Sequence, residues 1–256
     1  PLDHTFDVVV AGGGIAGVSA AEAVRTSSPD ARIVLLNKER ELPYYRLNLT
    51  RYLAGEIEPK HLPLHPEQWY ADQDIELVGG AELCTLDSAA RRLRIRGAED
   101  RPYQKLILAM GSHPFMPPLP GLNRDNVTAL RTRDDADRIL EQSRGARCVV
   151  IGGGVLGLET AGALARNGEN VTLLEGHGWL LPRQLNEPAG RVLEQVAADM
   201  GITIRRRART KELPGDERVR EIVLEDGDRL PAELVIVATG VRSNSYVARL
   251  AGLEVG

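Results

Sequence analysis

Gly12, Gly14 and Gly17 stand at Gly-x-Gly-x-x-Gly spacing, and Gly152, Gly154 and Gly157 repeat it. Each set follows a short apolar run, Val8-Val9-Val10-Ala11 or Cys148-Val149-Val150-Ile151, and precedes an alanine-rich stretch. The chemistry open to such a turn is phosphate binding. The first glycine permits the tight turn, the second lets a pyrophosphate approach the backbone, and the third lets the following helix pack close to the strand. A helix N-terminus adds free N–H groups and roughly half a positive charge, both favourable to phosphate. Ile15 and Ala16 open the first helix, and Val155 and Leu156 the second. One such turn is a weak signal. Two, each between a strand and a helix pattern, point to two dinucleotide sites on one chain.

A dinucleotide site also needs an acid at the end of the second strand, about 20 residues past the glycines, to receive the adenosine ribose. In the second copy Glu175 closes the run Asn170–Leu174 and fits that requirement. Its carboxylate would accept hydrogen bonds from the ribose hydroxyls and repel a 2′-phosphate, and Gly176-His177-Gly178 adds no arginine, so NADH is expected over NADPH. In the first copy the strand Ala31–Leu36 is followed by Asn37 and Lys38, and the acid is displaced to Glu39, which reads either as the ribose acceptor or as a solvated charge. Arg46 and Arg51, in the aromatic and basic stretch Leu42–Gly55, suit a pyrophosphate neighbour or the exposed side of a short helix.

The elements that must hold these residues follow from periodicity. Phe6–Ala11, Ala31–Leu36, Arg147–Ile151, Asn170–Leu174 and Leu234–Ala238 read as buried parallel strands. Ile15–Arg25, Asp134–Arg144, Val155–Asn167 and Glu187–Met200 read as helices. Ile75–Val78, Ala81–Leu86, Arg91–Ile95 and Gln104–Leu108 read as a small antiparallel excursion that returns to the parallel sheet. Ile202–Arg207 and Val219–Leu224 read as further strands, the latter ending in a hairpin-type turn at Glu225-Asp226-Gly227-Asp228. Four prolines between Ser112 and Gly121 break helix and strand alike and mark an interdomain connection. The expected fold class is α/β, with two Rossmann-like dinucleotide-binding domains, each a parallel sheet with a small antiparallel excursion.

Composition excludes other classes. The 256 residues suffice for two domains, and 43% hydrophobic content is ordinary for a globular chain. A net charge of −4 gives no reason to expect nucleic acid or an anionic membrane, and no apolar run is long enough to span one. The N-terminal Pro1–Asp7 lacks the pattern of a signal peptide, so a cytoplasmic location is expected. Cys84 and Cys148 form no close pair and read as buried apolar side chains. His61 and His65 have a metal-like spacing, but Pro63 between them speaks against one helix presenting both. Arg205-Arg206-Arg207 reads as solvated.

Two dinucleotide sites invite hydride transfer between a nicotinamide and a flavin, with the protein supplying orientation. Here the residues show a likeness. Both glycine turns, Leu108-Ala109-Met110-Gly111-Ser112-His113-Pro114, Gly157-Leu158-Glu159 and Ala238-Thr239-Gly240-Val241-Arg242-Ser243-Asn244 occur in an order that resembles the flavoprotein reductases with two dinucleotide domains. Pro43–Thr50 and Leu181–Asn186 are most similar to the NAD(P)H-dependent nitrite reductase and rubredoxin or ferredoxin reductase branch. The resemblance implies an FAD domain over 1–113 and 241–256, with an NAD(P)H domain over 114–240. It implies FAD pyrophosphate on Gly12, Gly14 and Gly17, the ribose at Lys38 or Glu39, and Arg46 and Arg51 near the pyrophosphate or flavin. Ala81 would meet adenine, while Ala109, Met110 and Gly111 would line the FAD. Gly152, Gly154, Val155, Leu156, Gly157, Glu175 and Gly240 would bind NADH. Glu159 and Arg51 would act beside the flavin as an ion pair, the alternative for Glu159 being a plain helix-dipole glutamate.

The departures sharpen the expectation. The disulfide-reductase branch carries two cysteines on the first helix, and the NADH oxidase and coenzyme A-disulfide reductase branch one after the second strand. This chain has Ser19-Ala20-Ala21-Glu22-Ala23 and Leu42–Arg51 there, without cysteine. Electrons would therefore leave the flavin for a partner redox protein or an attached metal-cofactor domain. The alternatives are an NADH oxidase using oxygen directly and a non-enzymatic dinucleotide-binding sensor. The sequence ends before the Gly-Asp block that completes an FAD domain in this family, so that domain is expected to be incomplete.

Overall fold

The computed structural model describes residues 6–256; the leader reading of Pro1–Asp7 falls largely outside them. In chain order the elements are β1 (Phe6–Ala11), α1 (Ile15–Ser27), β2 (Ile33–Asn37), α2 (Leu49–Leu53), α3 (Glu67–Asp72), β3 (Ile75–Gly79), β4 (Glu82–Asp87), β5 (Arg92–Arg96) and β6 (Arg101–Leu108). There follow β7 (Ser112–Pro114), β8 (Val127–Thr128), α4 (Arg133–Ser143), β9 (Arg147–Ile151), α5 (Val155–Arg166), β10 (Asn170–Glu175) and α6 (Glu187–Asp199). The last are β11 (Thr203–Arg206), β12 (Thr210–Glu212), β13 (Glu221–Leu224), β14 (Arg229–Pro231), β15 (Leu234–Val237), β16 (Val241–Ser243) and α7 (Tyr246–Leu250).

Contacts divide the chain into two units. The first comprises residues 1–46, 60–113 and 243–256, the second 47–59 and 114–242. Leu47–Pro59 therefore groups with the second unit, although the sequence reading assigned it to the first. The reason is α2, which packs against α4 and α5 and buries Leu49 and Leu53.

In the first unit the sheet order is β3-β2-β1-β6-β5-β4. β3, β2, β1 and β6 run parallel, and β5 and β4 continue antiparallel. Ile75–Val78 thus belongs to the parallel sheet, not to the antiparallel excursion expected for it. Strand alternation explains the layers. Val8, Val10, Ile33 and Leu35 face a core with α1 and Tyr70, while Val9, Ala11, Val34 and Leu36 face a second core with Leu83, Leu93, Ile95 and Val247. Both faces are covered, so β1 and β2 read as unbroken apolar runs rather than alternating ones.

The second unit has a five-stranded parallel sheet, β11-β10-β9-β15-β8, and a three-stranded antiparallel sheet, β12-β13-β14. Val149, Ile151, Val235 and Val237 pack against Leu213, Val219, Ile222 and Leu224 between the two sheets. Asn126, 1% exposed, ties this core together: its amide donates to the Val219 and Glu233 carbonyls at 2.9 and 2.8 Å and accepts from the Val219 N–H at 2.6 Å. Asn126→Ala would strand those main-chain groups, at about 2–3 kcal/mol. Chemical denaturation should show that loss, and an unchanged midpoint would contradict the assignment. Two N-caps were not read from the sequence: Thr132 with Asp135 forms a capping box on α4, and Asn186 accepts from the Ala189 N–H on α6.

Candidate functional site

The two glycine turns repeat each other position by position. Gly12 and Gly152 have φ of +122° and +116°. A Cβ there would meet the Ala109 carbonyl oxygen at 2.1 Å or the Ala238 carbonyl oxygen at 2.4 Å. Those alanines follow β6 and β15, and each donates its N–H to β1 or β9, at Ala11 and Ile151, at 2.8 Å. A Cβ on Gly17 or Gly157 would lie 1.8 or 1.9 Å from the carbonyl oxygen of Gly12 or Gly152. Both therefore close a contact between helix and strand that no side chain fits. Gly14 and Gly154 differ: their backbone is extended and nothing lies within 4 Å of the missing Cβ. They cap α1 and α5 without any side-chain cap, which leaves the helix N-terminus open. Ile15 and Val155, just beyond, are about half exposed at 51% and 53%. Ala16 is also exposed, and Leu156 is 37% exposed.

The strand ends behind these turns carry different residues. Glu175 ends β10 and is 5% exposed. Its Oε2 accepts the Gly153 N–H at 3.0 Å, and its Oε1 accepts the His177 N–H at 2.7 Å and faces His177 Nδ1 at 2.8 Å. Asn37 ends β2 in the matching place: its Oδ1 would lie 2.4 Å from a Cβ on Gly13, as Glu175 Oε2 would lie 2.6 Å from one on Gly153. The acid expected from the sequence lies further on, at Glu39. The amide fills the position by steric fit, donating to the Glu41 carbonyl at 2.8 Å. Glu39 is drawn into an ion pair with Arg46 and accepts from Tyr44 Oη at 2.6 Å. Lys38 pairs with Glu82 at 2.8 Å. Ala81 is buried, and its N–H donates to the Asn37 carbonyl at 2.9 Å.

Past β6, Asn244 clamps the Met110–His113 segment. Its amide donates to the Met110 carbonyl at 2.7 Å and its N–H to the Gly111 carbonyl at 2.9 Å, while its Oδ1 lies 2.7 Å from His113 Nδ1. Past β15, Gly240 has φ +113° with nothing within 4 Å of a Cβ, and its carbonyl accepts from the Phe115 N–H at 2.8 Å. β7 forms where the proline density predicted neither helix nor strand.

On the second unit α2 meets α5. Thr50 Oγ1 donates to Glu159 Oε2 at 3.0 Å, Asn167 donates to the Leu53 carbonyl at 2.8 Å, and Arg166 pairs with Glu56. Tyr52 donates to Asp137; burial first, and then that contact, raise its phenol above the ordinary value. The expected Arg51–Glu159 ion pair is not made. Arg51 Nε instead binds Glu56 Oε2 at 3.2 Å, five residues along the same segment. A local pair orders less chain than a distant one, and it is Thr50, the residue before Arg51, that bonds Glu159. Both Arg51 and Glu159 nevertheless line one hollow of about 410 Å³ along α5 and α6, which reaches neither the glycine turn nor Glu175.

No group of three or more His, Cys, Asp or Glu side chains suited to a metal exists among the described residues. His65 stacks on Trp69 with ring centroids 3.8 Å apart. Among those residues no helix is long and apolar enough to cross a membrane. Cys84 and Cys148 are both free thiols; Cys148 is buried as expected, but Cys84 is only half-buried, and burial pushes the Cys148 thiol up to about 12, helped by Glu169 and Glu233. The thiolate is the reactive form. A thiol reagent at mildly alkaline pH should therefore leave Cys148 unmodified until the chain unfolds. Peptide mapping that found it rapidly labelled in the folded protein would contradict this.

Comparison with known proteins decides the family. The pattern of the pyridine nucleotide-disulphide oxidoreductases matches residues 6–256. The chain belongs to this family. Among curated members it is 34% identical over 250 residues to the nitrite reductase [NAD(P)H] of Bacillus subtilis, covering 97% of this chain and 31% of that protein. A ferredoxin reductase from Rhodopseudomonas palustris superposes with a TM-score of 0.91 at 31% identity, over 98% of this chain and 63% of the other. A chain of the covalent putidaredoxin reductase–putidaredoxin complex superposes with a TM-score of 0.92 at 32% identity, over 98% and 62%. This member of the family thus spans about a third of the length of the nitrite reductase and less than two thirds of the two solved reductase chains.

Proposed function

We propose that the chain is the dinucleotide-handling part of an FAD-dependent NADH reductase that passes electrons to a partner redox protein or an attached metal-cofactor domain. The observation that carries the reading is the duplicated glycine turn. At Gly14 and at Gly154 an open, uncapped helix N-terminus adjoins a space that a single Cβ would enter. That cradle fits a pyrophosphate, and it occurs twice.

When bound, FAD accepts a hydride from the nicotinamide and releases electrons one or two at a time. This chain's residues bind, orient and shield. Gly12, Gly14 and Gly17, with the main chain at Ile15 and Ala16, hold the FAD pyrophosphate. Lys38 or Glu39 stands at the ribose, Glu39 being oriented by Arg46 and Tyr44. Ala81 borders the adenine, and Ala109, Met110 and Gly111, braced by Asn244, border the flavin portion. Gly152, Gly154, Val155, Leu156 and Gly157 hold the NADH pyrophosphate, Glu175 its ribose, and Gly240 the approach to its nicotinamide. Glu159, held by Thr50, and Arg51 stand on the second unit, where they serve the nicotinamide.

Neither Ser19–Ala23 nor Leu42–Arg51 carries a cysteine, which supports an acceptor outside the chain rather than a protein thiol in those places. The relatives support the same class: one is named a nitrite reductase, and another is a reductase in a complex with putidaredoxin. The test is anaerobic mixing of FAD-loaded protein containing this chain with excess NADH. The visible flavin absorbance should be lost. A flavin that stays oxidised would sink the reading. Steady-state NADH oxidation with rubredoxin, ferredoxin, nitrite and oxygen would then separate the acceptors.

A further inference from the structure

Beside Glu175 the structure holds two cations that the NADH reading does not use. β10 and β11 are parallel neighbours, with Glu175 opposite Arg206. Past β11 the pairing persists: the Arg207 N–H donates to the His177 carbonyl and the Ala208 N–H to the Glu175 carbonyl, both at 2.9 Å. Ala208 is buried in the core, while Arg207 and Arg209 on either side of it are exposed. Arg207 has φ +53°, a left-handed conformation uncommon for a side-chain-bearing residue, and the turn carries it over the Glu175 loop. A Cβ on Gly178 would lie 3.8 Å from Arg207 Nε and 3.9 Å from its Nη2, and one on Gly176 would lie 3.8 Å from Arg209 Cγ. The glycines of that loop thus leave room that the two arginines border.

Partner choice distinguishes this pair from its neighbours. Arg205 pairs with Asp228 and Arg206 with Glu194. Arg207 and Arg209 make no side-chain ion pair among the described residues. Meanwhile both oxygens of Glu175 already accept main-chain hydrogen bonds. Those donors draw its charge toward the backbone and weaken the repulsion of a second anion.

We propose that Arg207 and Arg209 form a 2′-phosphate subsite at the adenosine end of the second glycine turn, so that this site takes NADPH as well as NADH. The inference rests on the reading that this turn binds a reduced nicotinamide dinucleotide. The guanidinium fork matches phosphate oxygens two at a time, which a lysine would not. Sequence alone points the other way, because Gly176-His177-Gly178 directly after Glu175 carries no arginine; these two arrive from just past the next strand.

The test uses ADP-ribose and 2′-phospho-ADP-ribose, which carry the adenosine half of each dinucleotide and need no flavin. Calorimetric titration of the protein should give affinities within about tenfold of each other. Arg207→Asn with Arg209→Gln should weaken the 2′-phospho ligand by about 10- to 100-fold and leave ADP-ribose within about twofold. Asparagine tolerates the left-handed conformation at 207, and an unchanged melting temperature verifies the fold. Arg205→Gln with Arg206→Gln removes equal charge and should leave the ratio of the two affinities unchanged. The proposal is overturned if the unmodified protein disfavours the 2′-phospho ligand by more than about 100-fold, or if the 207/209 pair weakens both ligands equally. Failure of ADP-ribose itself to bind would instead overturn the underlying dinucleotide reading.

Discussion

Gly157→Ala is expected to lower the melting temperature by about 6–12 °C, through a loss of about 3 kcal/mol, and to abolish measurable dinucleotide binding. The new Cβ would stand 1.9 Å from the Gly152 carbonyl oxygen and 3.4 Å from Ala238 Cβ. The first of these is a main-chain atom fixed between β9 and α5, so no side-chain rotation relieves the clash. Either α5 lifts from the sheet or the turn opens, and both moves misplace the helix N-terminus that faces phosphate. Gly154→Ala is the informative companion. Nothing lies within 4 Å of its Cβ, and its φ of −77° suits any residue. It should fold with a melting temperature within about 2 °C of the parent and still bind NADH about 10- to 100-fold more weakly, because the methyl group enters the space assigned to the pyrophosphate. Thermal melting with NADH titration separates the two. Equal melting temperatures for both variants would refute the packing argument, and unimpaired NADH binding by Gly154→Ala would refute the cradle.

Glu175→Ala should cost about 3–6 kcal/mol, since it removes charge-assisted hydrogen bonds to two main-chain donors at about 1.5–3 kcal/mol each. The Gly153 and His177 N–H groups would be left facing a cavity, and Leu180, whose Cδ2 would lie 2.9 Å from a Cβ on Gly153, borders the same spot. Glu175→Gln offers one acceptor and should recover about half of the loss. Denaturant midpoints of the three proteins test the order Glu, Gln, Ala. On the binding side both variants should weaken ADP-ribose, whose ribose loses its acceptor. A Glu175→Ala chain as stable as its parent would mean that the carboxylate does not hold the turn.

Much of this was legible because it is local. The glycine turns, the apolar strands on either side and the acid at the end of β10 each express a backbone requirement within about thirty residues. The four longer helices, α1, α4, α5 and α6, were readable from periodicity, whereas α3 and α7, of six and five residues, carry too little of it. What escaped the sequence reading depends on partners far apart in the chain. Asn37 fills the place of an acid only because Gly13 brings the turn against its amide. Arg51 turns to Glu56 on its own segment, while its neighbour Thr50 reaches Glu159 across to α5. Ile75–Val78 looks like its antiparallel neighbours until β2 pairs with it. Arg207 reads as a solvated charge with Arg205 and Arg206, until the turn past β11 sets it beside Gly178 and Arg209 beside Gly176. Short strands such as β8, with two residues, carry too little periodicity to be seen at all.

The assignment of Leu47–Pro59 to the second unit bears on biosynthesis. The chain passes between its units four times, at residues 46/47, 59/60, 113/114 and 242/243. Neither unit is one uninterrupted stretch, so each is completed only by residues made after part of the other. The first sheet has all its strands once β6 is made, yet Val247, which closes one of its cores, arrives more than a hundred residues later. α2 is made early and waits, with Leu53 uncovered, until α4 and α5 exist to receive it. Expression of residues 114–242 alone would omit that helix and bare the faces of α4 and α5 that it covers. A fragment meant to isolate the second glycine turn should therefore carry residues 47–59 joined in front of it.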